Sequence, residues 1–223
     1  MLAQQKRNTK GFSLIELLVV LALIGIVAGM GFPKFSTWSK KRHIESQHEK
    51  IGTYLTSAVS QVERGSYPYV QIKFSSVNNN YQVVTRALPQ NKFSLALNQR
   101  KKLSCSADNF SNSNGGIELS NYSLSDKIKI FPSASGNTDT FSICFSKGGT
   151  YFNKTGTADG VDPIGFDGGK TPYYNYIVIC SFETACTPKT KALDNFTYGI
   201  KYSRFGLIEK YKYSLTSASW KSR

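Results

Sequence analysis

The chain has 223 residues, a length that suits one or at most two compact units. With 40% hydrophobic and 19% charged residues, its composition excludes a disordered chain, and 13% aromatic residues favour strands in its main body. The formal net charge is +14, from 28 basic and 14 acidic residues. An excess of this size bears on partners rather than on fold, and makes nucleic acid, anionic lipid and acidic protein surfaces plausible contacts.

An apolar segment, residues 12–32, follows a short basic stretch at the start of the chain. Lys6, Arg7 and Lys10 precede it without any acidic residue, as at the start of a secretory signal. The apolar run is longer than a usual signal core, however, and no small-x-small cleavage site follows it. A helix of about 20 apolar residues can cross a bilayer, so we expect this segment to span a membrane.

Glu16 is the one charged residue within this apolar segment. An ionised carboxylate inside a membrane is costly unless it pairs with a positive group, although the cost falls towards the helix end. Two interpretations remain open on spacing alone. The carboxylate either lies at the headgroup level without a role, or it awaits a positively charged partner.

The sequence of residues 10–20, KGFSLIELLVV, resembles the N-terminal signal of type IV prepilins and type II secretion pseudopilins. In that signal a small residue ends a basic leader, Phe follows it, and Glu stands five residues into the mature chain. The resemblance implies that a prepilin peptidase cleaves after Gly11 and methylates the new amine of Phe12. It also implies that Glu16 pairs with the Phe12 amine of a neighbouring subunit during assembly, because in lipid both charges need a partner.

The same resemblance implies the location and the partners of the protein. It predicts a single-pass bacterial inner-membrane precursor, which later enters a filament in the periplasm or outside the cell. Basic residues flank the apolar segment almost equally, so the cytoplasmic N-terminus is predicted from the leader and from the expected disulfides of the head. The implied partners are other pilin subunits, the prepilin peptidase and an inner-membrane assembly platform. Pro33 falls where many pilins carry a helix-kinking proline, and we assign it to the assembly segment.

The pattern after the apolar segment is that of an amphipathic helix. Five apolar residues recur at helical steps and predict one buried face: Ile44, Ile51, Leu55, Ala58 and Val62. We expect a helix over residues 12–64, ended by Gly65. His43 and His48 are interpreted as solvated helix residues. The predicted organisation is a leader at 1–11, a transmembrane and assembly helix at 12–33, an amphipathic stalk at 34–65 and a globular β-rich head at 66–223.

Short runs rich in Tyr, Ile, Val, Phe and Thr follow, separated by Asn, Ser, Gly and Pro clusters. They predict strands at residues 69–74, 81–87, 127–131, 140–145, 173–180, 196–202 and 207–213. We expect an α+β fold in which an antiparallel sheet packs on the apolar face of the helix. Residues 104–116 and 154–171 are predicted to be long loops. Residues 200–208 loosely resemble the glycine-turn hairpin of some minor pilins.

The four cysteines, Cys105, Cys144, Cys180 and Cys186, form no CxxC pair and lie far in sequence from both histidines, which argues against zinc. In an exported domain an even number predicts two disulfides, with three possible connectivities. We favour a local Cys180–Cys186 loop, which leaves Cys105 to pair with Cys144. The alternative is four buried thiols.

No nucleotide-binding or hydrolase motif occurs, and both histidines lie on the predicted helix, so the sequence predicts no enzyme and no cofactor. Asp159, Asp162 and Asp167 could gather calcium, but they do not match an EF-hand and are more typical of a solvated loop. No metal site is therefore expected.

The last 23 residues combine basic and aromatic side chains. Basic groups neutralise phosphates and aromatic rings stack on bases, so a nucleic-acid contact is one hypothesis. Its candidate residues are Lys201, Arg204, Lys210, Lys212, Lys221 and Arg223. The alternative is an ordinary sheet with a basic outer face. The favoured function is a structural subunit of a type IV pilus-like filament. The other hypotheses are a DNA-binding competence pilin, a secretion pseudopilin and a simple membrane anchor.

Overall fold

The computed structural model of the chain describes residues 13–78, 80–98, 105, 110–132, 140–149, 174–182, 193–194, 196–203 and 205–223. The chain divides into two compact units, Met1–Arg42 and His43–Arg223. Its secondary structure is one long helix followed by antiparallel β-structure, so the predicted α+β class is confirmed.

The long helix α1 comprises Leu14–Glu63 and continues through Pro33. It ends as predicted at Gly65, which has a φ of 74° and donates its backbone N–H to the carbonyl oxygen of Val62 at 3.1 Å. A left-handed residue that satisfies a terminal carbonyl is a common helix stop. In the described part of the chain, no helix combines the length and the apolarity needed to cross a membrane.

In the described residues after α1 there are nine strands and a second α-helix. The strands are β1 (Tyr69–Val77), β2 (Asn80–Leu88), β3 (Ile117–Ser123), β4 (Ile128–Pro132), β5 (Thr140–Ser146), β6 (Tyr174–Ser181), β7 (Tyr198–Ser203), β8 (Ile208–Ser214) and β9 (Ser219–Ser222). The helix α2 comprises Gln90–Asn98. The described strands form two antiparallel sheets, in the orders β3-β2-β1-β5 and β4-β6-β7-β8-β9, where a single sheet was predicted.

The core of the second unit lies between the C-terminal part of α1 and both sheets. All five apolar residues of the predicted helix face are buried there, which confirms the periodicity argument. Each of the four larger side chains, those other than Ala58, contributes about 1.5–3 kcal/mol when it is fully buried. Alternate residues of the strands supply the other side of this core, for example Val70 and Ile72 of β1 and Ile177 and Ile179 of β6.

Both sheets are also covered on part of their outer faces, and three short elements of this unit were not predicted from the sequence. Tyr69 and Leu88 belong to a second cluster with Phe110, against which Phe93 of α2 packs. Trp220 of β9 packs with Tyr213 against a third cluster built on β6. The helix α2 and the strands β3 and β9 are too short, and too polar in sequence, to give a clear period of their own.

The disulfide Cys105–Cys144 is present, with a Cα–Cα distance of 5.7 Å, and confirms the favoured pairing of these two residues. Both cysteines are buried in the same cluster as Tyr69, Leu88 and Phe110. Cys180 is also disulfide-bonded, whereas Cys186 lies outside the described residues. The predicted loop at 154–171, with its three aspartates, lies outside them too, and the loop at 104–116 is described only in part.

Candidate assembly segment and basic C-terminal surface

The first turn of α1 begins directly after the predicted processing site. Gly11 and Phe12 lie outside the described residues. The carbonyl oxygen of Ser13 accepts hydrogen bonds from the backbone N–H groups of Glu16 at 3.0 Å and Leu17 at 3.2 Å. Glu16 therefore stands in the first helical turn, where a carboxylate also interacts favourably with the helix dipole.

The part of α1 that follows this turn exposes its large apolar side chains on all faces. The exposed residues are Leu14, Ile15, Leu17, Leu18, Val19, Val20, Leu21, Leu23, Ile24 and Ile26. Glu16 is the only acidic residue between Ser13 and Ile44, and its side chain is exposed among them. An apolar surface of this extent is typical of a segment that packs against lipid or against other chains.

A small aromatic and cationic group lies at the end of the first unit. Phe35 and Trp38 pack against one another, with ring centroids 5.8 Å apart. The guanidinium carbon of Arg42 lies 5.0 Å from the centroid of the Trp38 ring, within the range of a cation–π interaction. Although they touch each other, Phe35 remains 64% exposed and Trp38 52% exposed. Sequence analysis missed this group, yet its spacing of three and four residues is visible in the sequence.

The described residues among the candidates for nucleic-acid contact do not form one exposed patch. Lys201 of β7 is buried, and its Nζ lies 3.5 Å from the Glu209 carboxylate on the neighbouring strand. The ion pair satisfies a charge that would otherwise be costly to bury. Lys201 is thus part of the sheet structure.

Two further candidates join the C-terminal strands to α1. Lys210 of β8 forms an ion pair with Glu49, and Arg223 forms one with Glu45. The Arg223 guanidinium also lies over the ring of Tyr198, with its carbon 5.8 Å from the centroid. Sequence analysis missed both glutamates as partners, because their cations come more than 150 residues later in the chain.

Lys212 of β8 and Lys221 of β9 lie opposite one another in the register of the two strands, and Lys221 is exposed. Arg204 lies outside the described residues. Within the part of the chain that the structure describes, no three metal-ligating side chains come together.

His48 is fully buried on α1, so its interpretation as a solvated residue was wrong. Its Nε2 lies 3.1 Å from the carbonyl oxygen of Gly199, and its ring packs on Tyr198 with centroids 5.2 Å apart. A carbonyl oxygen only accepts, so the neutral ring carries its proton on Nε2. Burial lowers the pKa of His48 below its usual value, despite the opposing influence of the Gly199 carbonyl and the Glu49 carboxylate.

Comparison with known proteins bears on the N-terminal segment. Residues 6–32 match the model of the prokaryotic N-terminal methylation motif. The chain is 34% identical over 71 residues to the fimbrial protein EcpB of Eikenella corrodens, a match that covers 32% of this chain and 45% of EcpB. It is 32% identical over 56 residues to a fimbrial protein of Pseudomonas aeruginosa, which covers 25% of this chain and 36% of that protein.

The chain thus spans less than half the length of these curated relatives. No solved structure matches it at a significant level. The methylation motif includes the predicted cleavage site, Phe12, Glu16 and the apolar start of α1. The chain therefore carries the prokaryotic N-terminal methylation motif and is similar, over about a quarter to a third of its length, to fimbrial proteins.

Proposed function

We propose that this protein is a non-catalytic structural subunit, a pilin or minor pilin, of a type IV pilus-like filament. The observation that carries the proposal is the methylation motif at residues 6–32, which leads into an apolar first part of α1 whose large side chains are exposed and whose single acidic residue is Glu16. In such a filament the helices of neighbouring subunits bury these side chains against one another. The gain is about 25 cal/mol for each Å² of apolar surface removed from water.

In the proposed assembly, Glu16 sets the register between subunits. The peptidase cleaves after Gly11, and the methylated amine of Phe12 in one subunit pairs with the Glu16 carboxylate of another. Both charges are costly in an apolar environment unless they meet, so the pairing favours one axial offset between helices. The second unit, which begins at His43, carries its own core and forms the head of the subunit.

The proposal includes the route to the filament. The leader stays in the cytoplasm, the apolar residues 12–32 hold the precursor in the inner membrane, and an assembly platform moves the processed chain into the filament. The Cys105–Cys144 disulfide supports an oxidising compartment for the head.

Mass spectrometry of the N-terminal peptide tests processing and location together. Filaments sheared from cells are compared with the membrane fraction. We expect a peptide that begins at methylated Phe12 in the sheared material. An intact Met1 leader in both fractions would contradict the proposal. Gly11→Val is expected to block cleavage, because the processing site needs a small residue.

Glu16→Gln tests the assembly step separately. This variant should be processed normally but enter filaments poorly, since the amide cannot neutralise the Phe12 amine. Glu63→Gln, an exposed position at the other end of α1, removes the same charge and serves as the control. Equal incorporation of the two variants would refute a role for Glu16 in assembly and favour a simple anchor.

The two alternative functions predict different results. A type II secretion pseudopilin would be processed at Phe12 yet stay in the membrane fraction. A DNA-binding competence pilin would bind duplex DNA at low salt with a steep salt dependence. Because Lys201, Lys210 and Arg223 are engaged with carboxylates, we favour the structural role without DNA capture.

A further inference from the structure

We propose that Phe35, Trp38, Lys41 and Arg42 form an interfacial anchor that binds the anionic phospholipid headgroups of the membrane holding the precursor. This inference rests on the membrane-held precursor of the proposed function. It assigns a role to residues 35–42, which lie beyond the methylation motif at 6–32.

The position of the aromatic residues along α1 fits the depth of a membrane interface. At 1.5 Å per residue, Phe35 and Trp38 follow the end of the apolar segment by about 5 and 9 Å. The headgroup region on each side of the hydrocarbon core is about 5–8 Å thick. Helical side chains also lean towards the helix N-terminus, which brings the Trp38 ring back towards this layer.

The side chains of this group suit the boundary between hydrocarbon and water better than either the hydrocarbon core or bulk water. Trp combines a large apolar ring with a polar N–H, and it is enriched where hydrocarbon meets water. Phe35, Trp38 and Arg42 fall within about a 60° arc of the helix, at 100° per residue. Their exposed surfaces therefore form one stripe, with the Arg42 guanidinium held against the Trp38 ring.

Charge identifies the lipid class. Four basic residues follow the apolar segment, Lys34, Lys40, Lys41 and Arg42, and no acidic residue occurs between Glu16 and Glu45. Lys41 and Arg42 are both exposed in the structure. Such a cationic juxtamembrane cluster complements phosphatidylglycerol or another anionic headgroup, and it gains nothing comparable from a zwitterionic surface.

The fluorescence of Trp38 in lipid vesicles tests the proposal. The chain contains two tryptophans, so Trp220→Phe leaves Trp38 as the only one. The full-length protein is reconstituted in vesicles of phosphatidylcholine, with or without phosphatidylglycerol. In the anionic vesicles we expect blue-shifted emission that is quenched by lipids brominated near the headgroup and less by lipids brominated deep in the acyl chain.

Charge variants separate lipid binding from mere insertion of the apolar segment. In anionic vesicles, the double variant Lys41→Gln and Arg42→Gln should lower the ratio of lipid-bound to water-exposed Trp38 by about fivefold for each cation removed. In vesicles without anionic lipid, it should leave this ratio unchanged. Arg42→Lys should retain most of the effect. Lys147→Gln combined with Lys221→Gln loses the same charge from two exposed positions in the head and should change nothing.

Two results would overturn the proposal. One is Trp38 emission that is indifferent to anionic lipid. The other is shielding of Trp38 that increases with protein concentration instead of lipid, which would make the stripe a contact between subunits. Filament incorporation, measured on the same variants, keeps the two claims apart. If the protein enters filaments but Trp38 emission does not respond to anionic lipid, the anchor is contradicted and the proposed function is not. If Trp38 lies at the interface of anionic vesicles but the protein does not enter filaments, the proposed function is contradicted and the anchor is not.

Discussion

His48 Nε2 lies 3.1 Å from the carbonyl oxygen of Gly199, so a buried side chain of α1 is hydrogen-bonded to the backbone of β7. The contact joins residues 151 positions apart and lies beside the two ion pairs that Glu45 and Glu49 make with Arg223 and Lys210. The helix, β7 and the C-terminal strands are thereby connected by one group of polar contacts around the ring of Tyr198.

The first prediction concerns acid stability. The pKa of His48 is lowered in the folded state, so the unfolded chain binds its proton more readily. The free energy of unfolding should be constant above about pH 6.5 and fall as the pH decreases below it. A further fall is expected below about pH 4.5, because the hydrogen bond from Lys210 lowers the pKa of Glu49. Urea unfolding between pH 7.5 and 2.5 measures both decreases.

His48→Gln should abolish the decrease in the free energy of unfolding that begins below about pH 6.5. The variant should also be less stable at every pH, because glutamine packs imperfectly at this position. His43→Gln should retain the decline, since the buried His48 remains in place. If both variants keep the decline of the wild type, another group is responsible for it.

The second prediction concerns the Cys105–Cys144 disulfide, whose cysteines are 39 residues apart. Loop-closure entropy for that separation amounts to about 4 kcal/mol at 25 °C. Replacing both cysteines by Ala should lower the free energy of unfolding by about 2–5 kcal/mol. Chemical denaturation measures the loss. A change under 1 kcal/mol would mean that the cluster around Tyr69 is stable without the disulfide.

The third prediction compares two glycines with positive φ. Gly206, in the turn between β7 and β8, has a φ of 85°, and a Cβ there would lie 2.5 Å from Cγ1 of Val59. Gly65 has a φ of 74°, with open space around its Cβ position. Gly65→Ala should cost about 1–2 kcal/mol from the backbone alone. Gly206→Ala should cost more, because a buried valine must also move, and equal losses in thermal unfolding would contradict this account.

The fourth prediction is that the ion pair between Glu45 and Arg223 contributes little energy. Their side chains are 24% and 37% exposed, and pairs in contact with water are worth about 0.2–1 kcal/mol. A double-mutant cycle of Glu45→Gln and Arg223→Met should give a coupling energy in that range, reduced by added salt. A coupling above 2 kcal/mol would show that the pair is shielded from solvent.

Local pattern was sufficient for much of the fold. The spacing of Ile44, Ile51 and Leu55 identified the buried face of α1, because a helix brings every third or fourth residue to one side. Gly65 marked the end of the helix for an equally local reason. The strands predicted near residues 69–74 and 140–145 correspond to β1 and β5, since β-branched and aromatic residues suit a pleated surface.

By itself the sequence determined the methylation motif, the position of Glu16 and the α+β class, since each depends on residues close together in the chain. Only the tertiary structure decided that the strands form two sheets, that Cys105 pairs with Cys144 and that His48 is buried. It also decided that Lys210 and Arg223 are engaged with glutamates of α1. The reason is physical: pairing, burial and charge compensation depend on distances between remote residues, and a periodic pattern carries no information about which remote residue will be the neighbour.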